Sequence, residues 1–228
     1  MKKASSRCRY GWLGLGIALC LGGPSAALAH PHGWVDMSVE GIFDDEGNLT
    51  ALRQRWRMDP FYSQVVMEEM ATADDATSMA ERLDALGVEI RDNLATQHNL
   101  TTITLDDDPL AQGDVSDTNT DYRDERLIYD FVLPLATPQP LAGRTLRYRI
   151  FDPTYYIEMV HEANEDGSRP LPGALTLANA PEGCATVVVK ATPDPQKVME
   201  AAMLDKSETG EPNLGRFFAE TGEITCPG

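Results

Sequence analysis

Apolar and polar positions alternate over residues 32–43 and again over 49–58. Between them lies Asp44-Asp45-Glu46-Gly47-Asn48, a cluster of turn formers. This pattern predicts a β-hairpin, with Leu52, Gln54, Trp56 and Met58 sharing one face of its second strand. Asp59-Pro60 ends it. The period then lengthens. Val66, Met67 and Met70, followed by Met79, Leu83, Leu86 and Ile90, recur at helical spacing, which predicts helices over 61–70 and 75–97. Methionines at that spacing read as core filler rather than as copper ligands. Gly87 weakens the second helix. Past residue 100 the alternation returns, predicting strands over 101–105, 127–133, 145–151, 155–161 and 185–191. A short helix is expected over 193–204. The acidic stretch 106–124 reads as a solvated loop. Asp106, Asp107 and Asp108 lack the spacing, glycine and closing glutamate of a calcium loop. Strands, then helices, then strands predict an α+β fold, with an antiparallel β-sheet or sandwich and a helical insertion at about 61–98.

The first 29 residues do not belong to that pattern. Lys2, Lys3, Arg7 and Arg9 precede a short apolar run, and Ala27 and Ala29 satisfy the small-residue rule for cleavage. Residues 1–29 are therefore expected to be a secretory signal peptide, leaving 30–228 as a single periplasmic domain. No second long apolar run follows, so no membrane insertion is expected after cleavage. Cys20 lacks the small residue expected before a lipidated cysteine, so an anchor is not favoured. The formal charge of the chain is −17. The signal carries four of the basic residues and none of the acidic ones, so its removal takes the charge to −21. Such an acidic surface argues against nucleic acid as a partner. Cys184 and Cys226 remain as an even pair in an oxidising compartment, predicting one disulfide that holds a C-terminal segment at about 184–228.

Cleavage after Ala29 would place His30 at the new N-terminus, with His32 two residues on. An amine and two imidazoles within three residues are nitrogen ligands suited to zinc, nickel, cobalt or copper. Pro31 has no backbone N–H, so the square-planar chelate that uses the second and third backbone nitrogens cannot form. In an extended chain His30, His32, Trp34 and Asp36 share a face. Two imidazoles and a carboxylate there make half a metal site. His161, at the end of its predicted strand, is the next candidate ligand. His98, at a helix end, is another, or else it answers the helix dipole. Neutral imidazole is the ligating form, so affinity is expected to fall in acid. The chain lacks the second histidine of a zincin, the nucleophile elbow, the P-loop and the dinucleotide fingerprint, so no enzymatic activity is expected.

His30-Pro31-His32-Gly33-Trp34-Val35-Asp36, then Phe43-Asp44-Asp45-Glu46-Gly47-Asn48-Leu49 and Arg55-Trp56, resemble the opening of domain-of-unknown-function family 1007. Phe151-Asp152-Pro153-Thr154-Tyr155-Tyr156-Ile157-Glu158 is similar to that family's other characteristic segment. The resemblance covers nearly the whole mature chain. It implies a bacterial periplasmic component of an ABC-type transport system, often accompanying nickel/cobalt-type permeases. The expected function is therefore binding of a divalent transition metal, Zn, Ni or Co first and Cu by affinity order, as an accessory of a membrane metal permease. The alternative is a non-metal module that docks on a permease through Trp34, Trp56, Tyr155 and Tyr156. A metal-dependent enzyme is the lesser alternative. The run Asp152-Pro153-Thr154 is expected to build a turn.

Overall fold

The computed structural model describes residues 31–73, 76–204 and 210–228. The expected signal peptide and His30 lie outside the described residues.

In chain order the elements are β1 (Gly33–Phe43), β2 (Asn48–Met58), α1 (Pro60–Thr72), α2 (Met79–Ala95), β3 (Thr101–Leu105), β4 (Asp108–Pro109), β5 (Ser116–Arg123), β6 (Arg126–Pro140), β7 (Thr145–Ile150), β8 (Ile157–His161), β9 (Leu175–Ala178), β10 (Ala185–Val189), α3 (Pro195–Met203) and β11 (Thr221–Thr225). The strands form two sheets. One runs β5-β6-β2-β1-β8, with β9 continuing along the same edge of β1 beyond β8. The other runs β10-β11-β7-β3-β4. Most pairings are antiparallel; β1 with β8 and β1 with β9 are parallel. Side chains from both sheets, among them Met37, Leu52, Phe131, Leu146, Tyr148 and Ile224, form one contiguous core. The fold is α+β.

Period-two patterning explains the first sheet. In β1, Val35, Met37, Val39 and Phe43 are buried, while Trp34, Asp36, Ser38 and Glu40 face outward. The β1–β2 register pairs Val35 with Met58 and Phe43 with Leu49. Asp44 closes the hairpin by accepting hydrogen bonds from the backbone N–H groups of Glu46 (3.1 Å) and Asn48 (2.8 Å), and Gly47 takes the positive φ that the turn needs.

The helical insertion starts where β2 is broken. Asp59 caps α1 and Pro60 opens it, so the residues that stop the strand also start the helix. Ser78 and Glu81 form a reciprocal capping box on α2. Gly87 has a packing reason, since a Cβ there would run into Thr120 Oγ1 of β5.

One expectation needs correction, and two further strands were not predicted. The stretch 106–124 is not simply a solvated loop, because it supplies β4 and the edge strand β5. That strand is almost all polar and is recognisable only from its pairing with β6. The C-terminal segment holds β11, which lies inside the second sheet between β10 and β7. It buries only one large apolar side chain, Ile224, and its Gly222 makes room for the Tyr148 ring. The four-residue β9 was also not expected. The disulfide Cys184–Cys226 is present, just before β10 and just after β11, across a sequence separation of 42.

Candidate functional site

The N-terminal end of β1, the start of β8 and the helices α1 and α2 enclose a cavity of about 450 Å³. Its walls are mainly apolar: Val35, Trp56 and Met159 from the sheet, Val65 from α1, and Ile90 and Leu94 from α2. Exposed aromatic rings surround it. Phe61 is 77% exposed, and Trp34, Tyr62 and Tyr156 are each more than a third exposed. Large rings left in water at the end of a folded sheet are unfavourable unless something covers them.

His32 lines this cavity. Its backbone N–H donates to the Tyr156 carbonyl (2.9 Å), and its ring sits 4.5 Å from the Tyr156 ring. The Asp152 carboxylate holds Tyr156 in place by accepting hydrogen bonds from the backbone N–H groups of Thr154, Tyr156 and Ile157. Asp152 therefore builds the turn expected of it. Asp59, also in the cavity wall, is nearly buried. Its Oδ1 accepts from the Tyr62 N–H (2.9 Å), and its own N–H donates to the Trp34 carbonyl (3.0 Å). Its Oδ2 lies against Gly33, where an added Cβ would come within 2.7 Å of it. A capped carboxylate thus sits one residue along from His32. Sequence patterning shows Asp59 only as a strand breaker.

The other expected ligands are elsewhere. Asp36 does share the outward face with Trp34, but its Oδ2 accepts from Arg126 Nη2 (2.8 Å) and from Trp34 Nε1 (3.3 Å). Its charge is already neutralised, so its place in a metal half-site is not supported. His98 follows α2 in a left-handed turn (φ 51) and lines a different depression with Arg91, Asp92 and Asp114. His161 pairs in register with Met37, five residues along β1 from His32, which is roughly 16 Å for extended chain. It faces the core and is 1% exposed. His161, the next candidate ligand, therefore lies apart from His32. No group of three or more metal-ligating side chains occurs among the described residues.

His161 instead belongs to a buried network. Its Nδ1 lies 2.8 Å from Glu220 Oε2 and its Nε2 lies 2.7 Å from the Tyr148 hydroxyl. The His161 backbone N–H also donates to Glu220 Oε2 (2.7 Å), and Lys190 Nζ lies 2.9 Å from Glu220 Oε1. A carboxylate only accepts, so Nδ1 carries the proton it shares with Glu220. Burial alone would push the Glu220 carboxyl up. The hydrogen bonds from His161 and Lys190 outweigh that and bring it down to about 2. Burial, then the Glu220 charge, pushes the Tyr148 hydroxyl well above its ordinary value, so it stays a phenol. Tyr148 and Lys190 come from the second sheet's side and His161 from the first. The network is a polar bolt between the sheets.

The aromatic docking surface also contracts. Trp56 is buried, edge-on to Phe131 at 5.2 Å, and its Nε1 donates to Gln54 Oε1 (3.0 Å). Tyr155 is buried and stacked on Phe218 at 3.9 Å. Only Trp34 and Tyr156 of the expected four face solvent.

Residues 15–226 match the family model described as "Protein of unknown function (DUF1007)". The chain belongs to this family. It is also similar to an uncharacterised protein of Haemophilus influenzae, 25% identical over 215 residues that cover 93% of this chain and 96% of that one. No solved structure matches the chain. From the first segment singled out in the sequence, His32, Gly33, Trp34 and Val35 line the cavity, and 151–158 supplies the turn carrying Tyr156, so the two segments meet there. No helix among the described residues is long and apolar enough to cross a membrane.

Proposed function

We propose that this is a periplasmic metal-binding accessory of a membrane metal transport system, taking Zn²⁺, Ni²⁺ or Co²⁺ at the mouth of the cavity. Cu²⁺ would compete on affinity order alone. The observation that carries this reading is the placement of His32 and Asp59 in the wall of one cavity; His30, outside the described residues, stands two positions earlier in the sequence. His30, His32 and Asp59 would provide three nitrogen and oxygen donors and leave a coordination position open, as a site that hands its metal on requires. The apolar wall beside them keeps bulk water from one side and strengthens the ion–ligand attraction.

The test is calorimetric titration of the protein beginning at His30 with each metal. Stoichiometric, submicromolar binding is expected. The double variant His30→Ala/His32→Ala should lose at least 100-fold in affinity, and Asp59→Asn roughly 10-fold. Submicromolar binding that survives the double variant would overturn the assignment.

A second reading is favoured by the cavity's apolar walls and by Phe61 at its rim. In it the cavity receives an apolar side chain from a permease segment and takes no metal. An environment-sensitive dye such as anilinonaphthalene sulfonate should then bind once per chain, equally well in the histidine double variant. Leu94→Trp, which fills the cavity, should abolish that binding while the melting temperature holds. A protein that leaves the dye dark excludes this reading.

A further inference from the structure

A second cavity, of about 430 Å³, opens beside the second sheet. Arg149 of β7, Arg216, Lys190 and the segment leading into α3 line it, together with Phe217 and Thr221. Its charge runs against that of the chain. Acidic residues outnumber basic ones 36 to 19, and most arginines are matched by a carboxylate: Arg53 by Glu40, Arg55 by Asp130, Arg57 by Glu162, Arg126 by Asp36 and Arg144 by Asp106. Arg147, two residues before Arg149 on the same face of β7, holds both Glu223 and Asp107.

Arg149 and Arg216 have no carboxylate partner among the described residues. Arg149 Nη2 donates to the backbone carbonyl of Arg216 (2.7 Å), which brings one cationic residue against another. Arg149 Nε is buried with no hydrogen-bond partner among the described residues. The Arg216 guanidinium lies 4.8 Å over the Phe217 ring, a stacking that orients it without neutralising it. Burial and then the Arg216 charge push the Arg149 guanidinium down from its ordinary value. Lys190 stands at the edge, already bonded to Glu220 and to the Gly167 carbonyl (2.8 Å). Among the described residues Asp194 is the one carboxylate in the wall, and its Oδ1 accepts from the Gln196 N–H (2.7 Å) as the cap of α3. An orphaned buried guanidinium N–H is costly. Two arginines lining one cavity suit a planar or tetrahedral oxyanion, because each guanidinium offers paired donors in a fixed fork.

We propose that this cavity binds a small oxyanion ligand, a phosphate or a compact polycarboxylate, held between Arg149 and Arg216. The Arg149 guanidinium would donate to one ligand oxygen, Arg216 would supply a second contact, and the Thr221 hydroxyl would add a neutral donor. This site is independent of the metal reading.

The test is titration of the purified protein with inorganic phosphate and, separately, with citrate, in metal-free low-salt buffer. One-to-one binding with a dissociation constant below about 1 mM is expected for at least one of them, weakening as sodium chloride is raised. Arg149→Gln and Arg216→Gln should each weaken it at least tenfold. Arg53→Gln, which removes the same charge from β2, should change it less than twofold. Circular dichroism and melting temperature establish that each variant is folded. Phosphate preferred over citrate identifies a phosphoryl ligand, and the reverse order a carboxylate. No binding of either at 10 mM, or binding indifferent to both arginine variants, would overturn the proposal.

Discussion

Glu220→Ala lowers the unfolding free energy by about 3–5 kcal/mol, the expected cost of removing one partner of a buried ion pair. Glu220 is 3% exposed and accepts from the His161 backbone, the His161 ring and Lys190. Alanine leaves two N–H groups of His161 unsatisfied between the sheets and a void beside them. Urea unfolding at pH 7 measures the loss; less than about 1 kcal/mol would show that the network does not bolt the sheets together. The same carboxylate gives a pH signature. Its folded-state value, about 2, lies below its ordinary 4.5. A depressed carboxyl contributes stability that is fully present above the unfolded value and is lost as pH falls through the folded one. The wild-type protein therefore loses this contribution between about pH 4.5 and pH 2. Glu220→Gln should start less stable and show a shallower fall across that window.

Reduction of the Cys184–Cys226 disulfide is expected to cost about 4 kcal/mol. The bond closes a loop across 42 residues, and the chain-entropy relation assigns about that much to such a loop. For a chain of this size the corresponding fall in melting temperature is roughly 8–16 °C. The reason for expecting the full effect is positional. The loop contains α3 and both strands that the bond joins, and Ala185 pairs with Thr225 directly beside it. Cys184→Ser/Cys226→Ser compared with wild type by calorimetry, with and without reductant, checks it. Wild type with reductant should melt with the double variant, and a fall under 3 °C would mean that strand pairing alone holds the segment.

Much of the fold was legible because its signals are local. The β1–β2 hairpin follows from alternation and a five-residue turn, β3 from a five-residue run at its observed position, and α1 and α2 from their period. The strands that were missed carry no such signal. β5 is polar because it is an edge, and β11 is recognisable only once Tyr148 is seen to occupy the space over Gly222. The candidate site was half legible. Alternation correctly put Trp34 and Asp36 on one face. It could not say which face of β8 is the core; the register with Met37 decides that. Asp36 lost its candidacy to Arg126, a partner 90 residues away. Asp59 gained one through Gly33, a close approach that only the folded chain displays.

The outer edge of β1 has a kinetic consequence. Its inner neighbour, β2, follows after a tight turn, so that pairing can form as soon as residue 58 is available. The other edge is completed by β8 and β9, at Gly33↔Ile157 and Val39↔Leu175. A chain delivered from its N-terminus therefore holds eleven residues of half-paired strand until more than a hundred further residues have emerged. Parallel closure over such a span is slow, and an open edge in the meantime can pair with another molecule. The polar outward face of β1, with Asp36, Ser38 and Glu40 between its apolar positions, keeps that waiting strand in water. Substituting apolar residues there should lower the yield of refolding far more than the stability of what has folded.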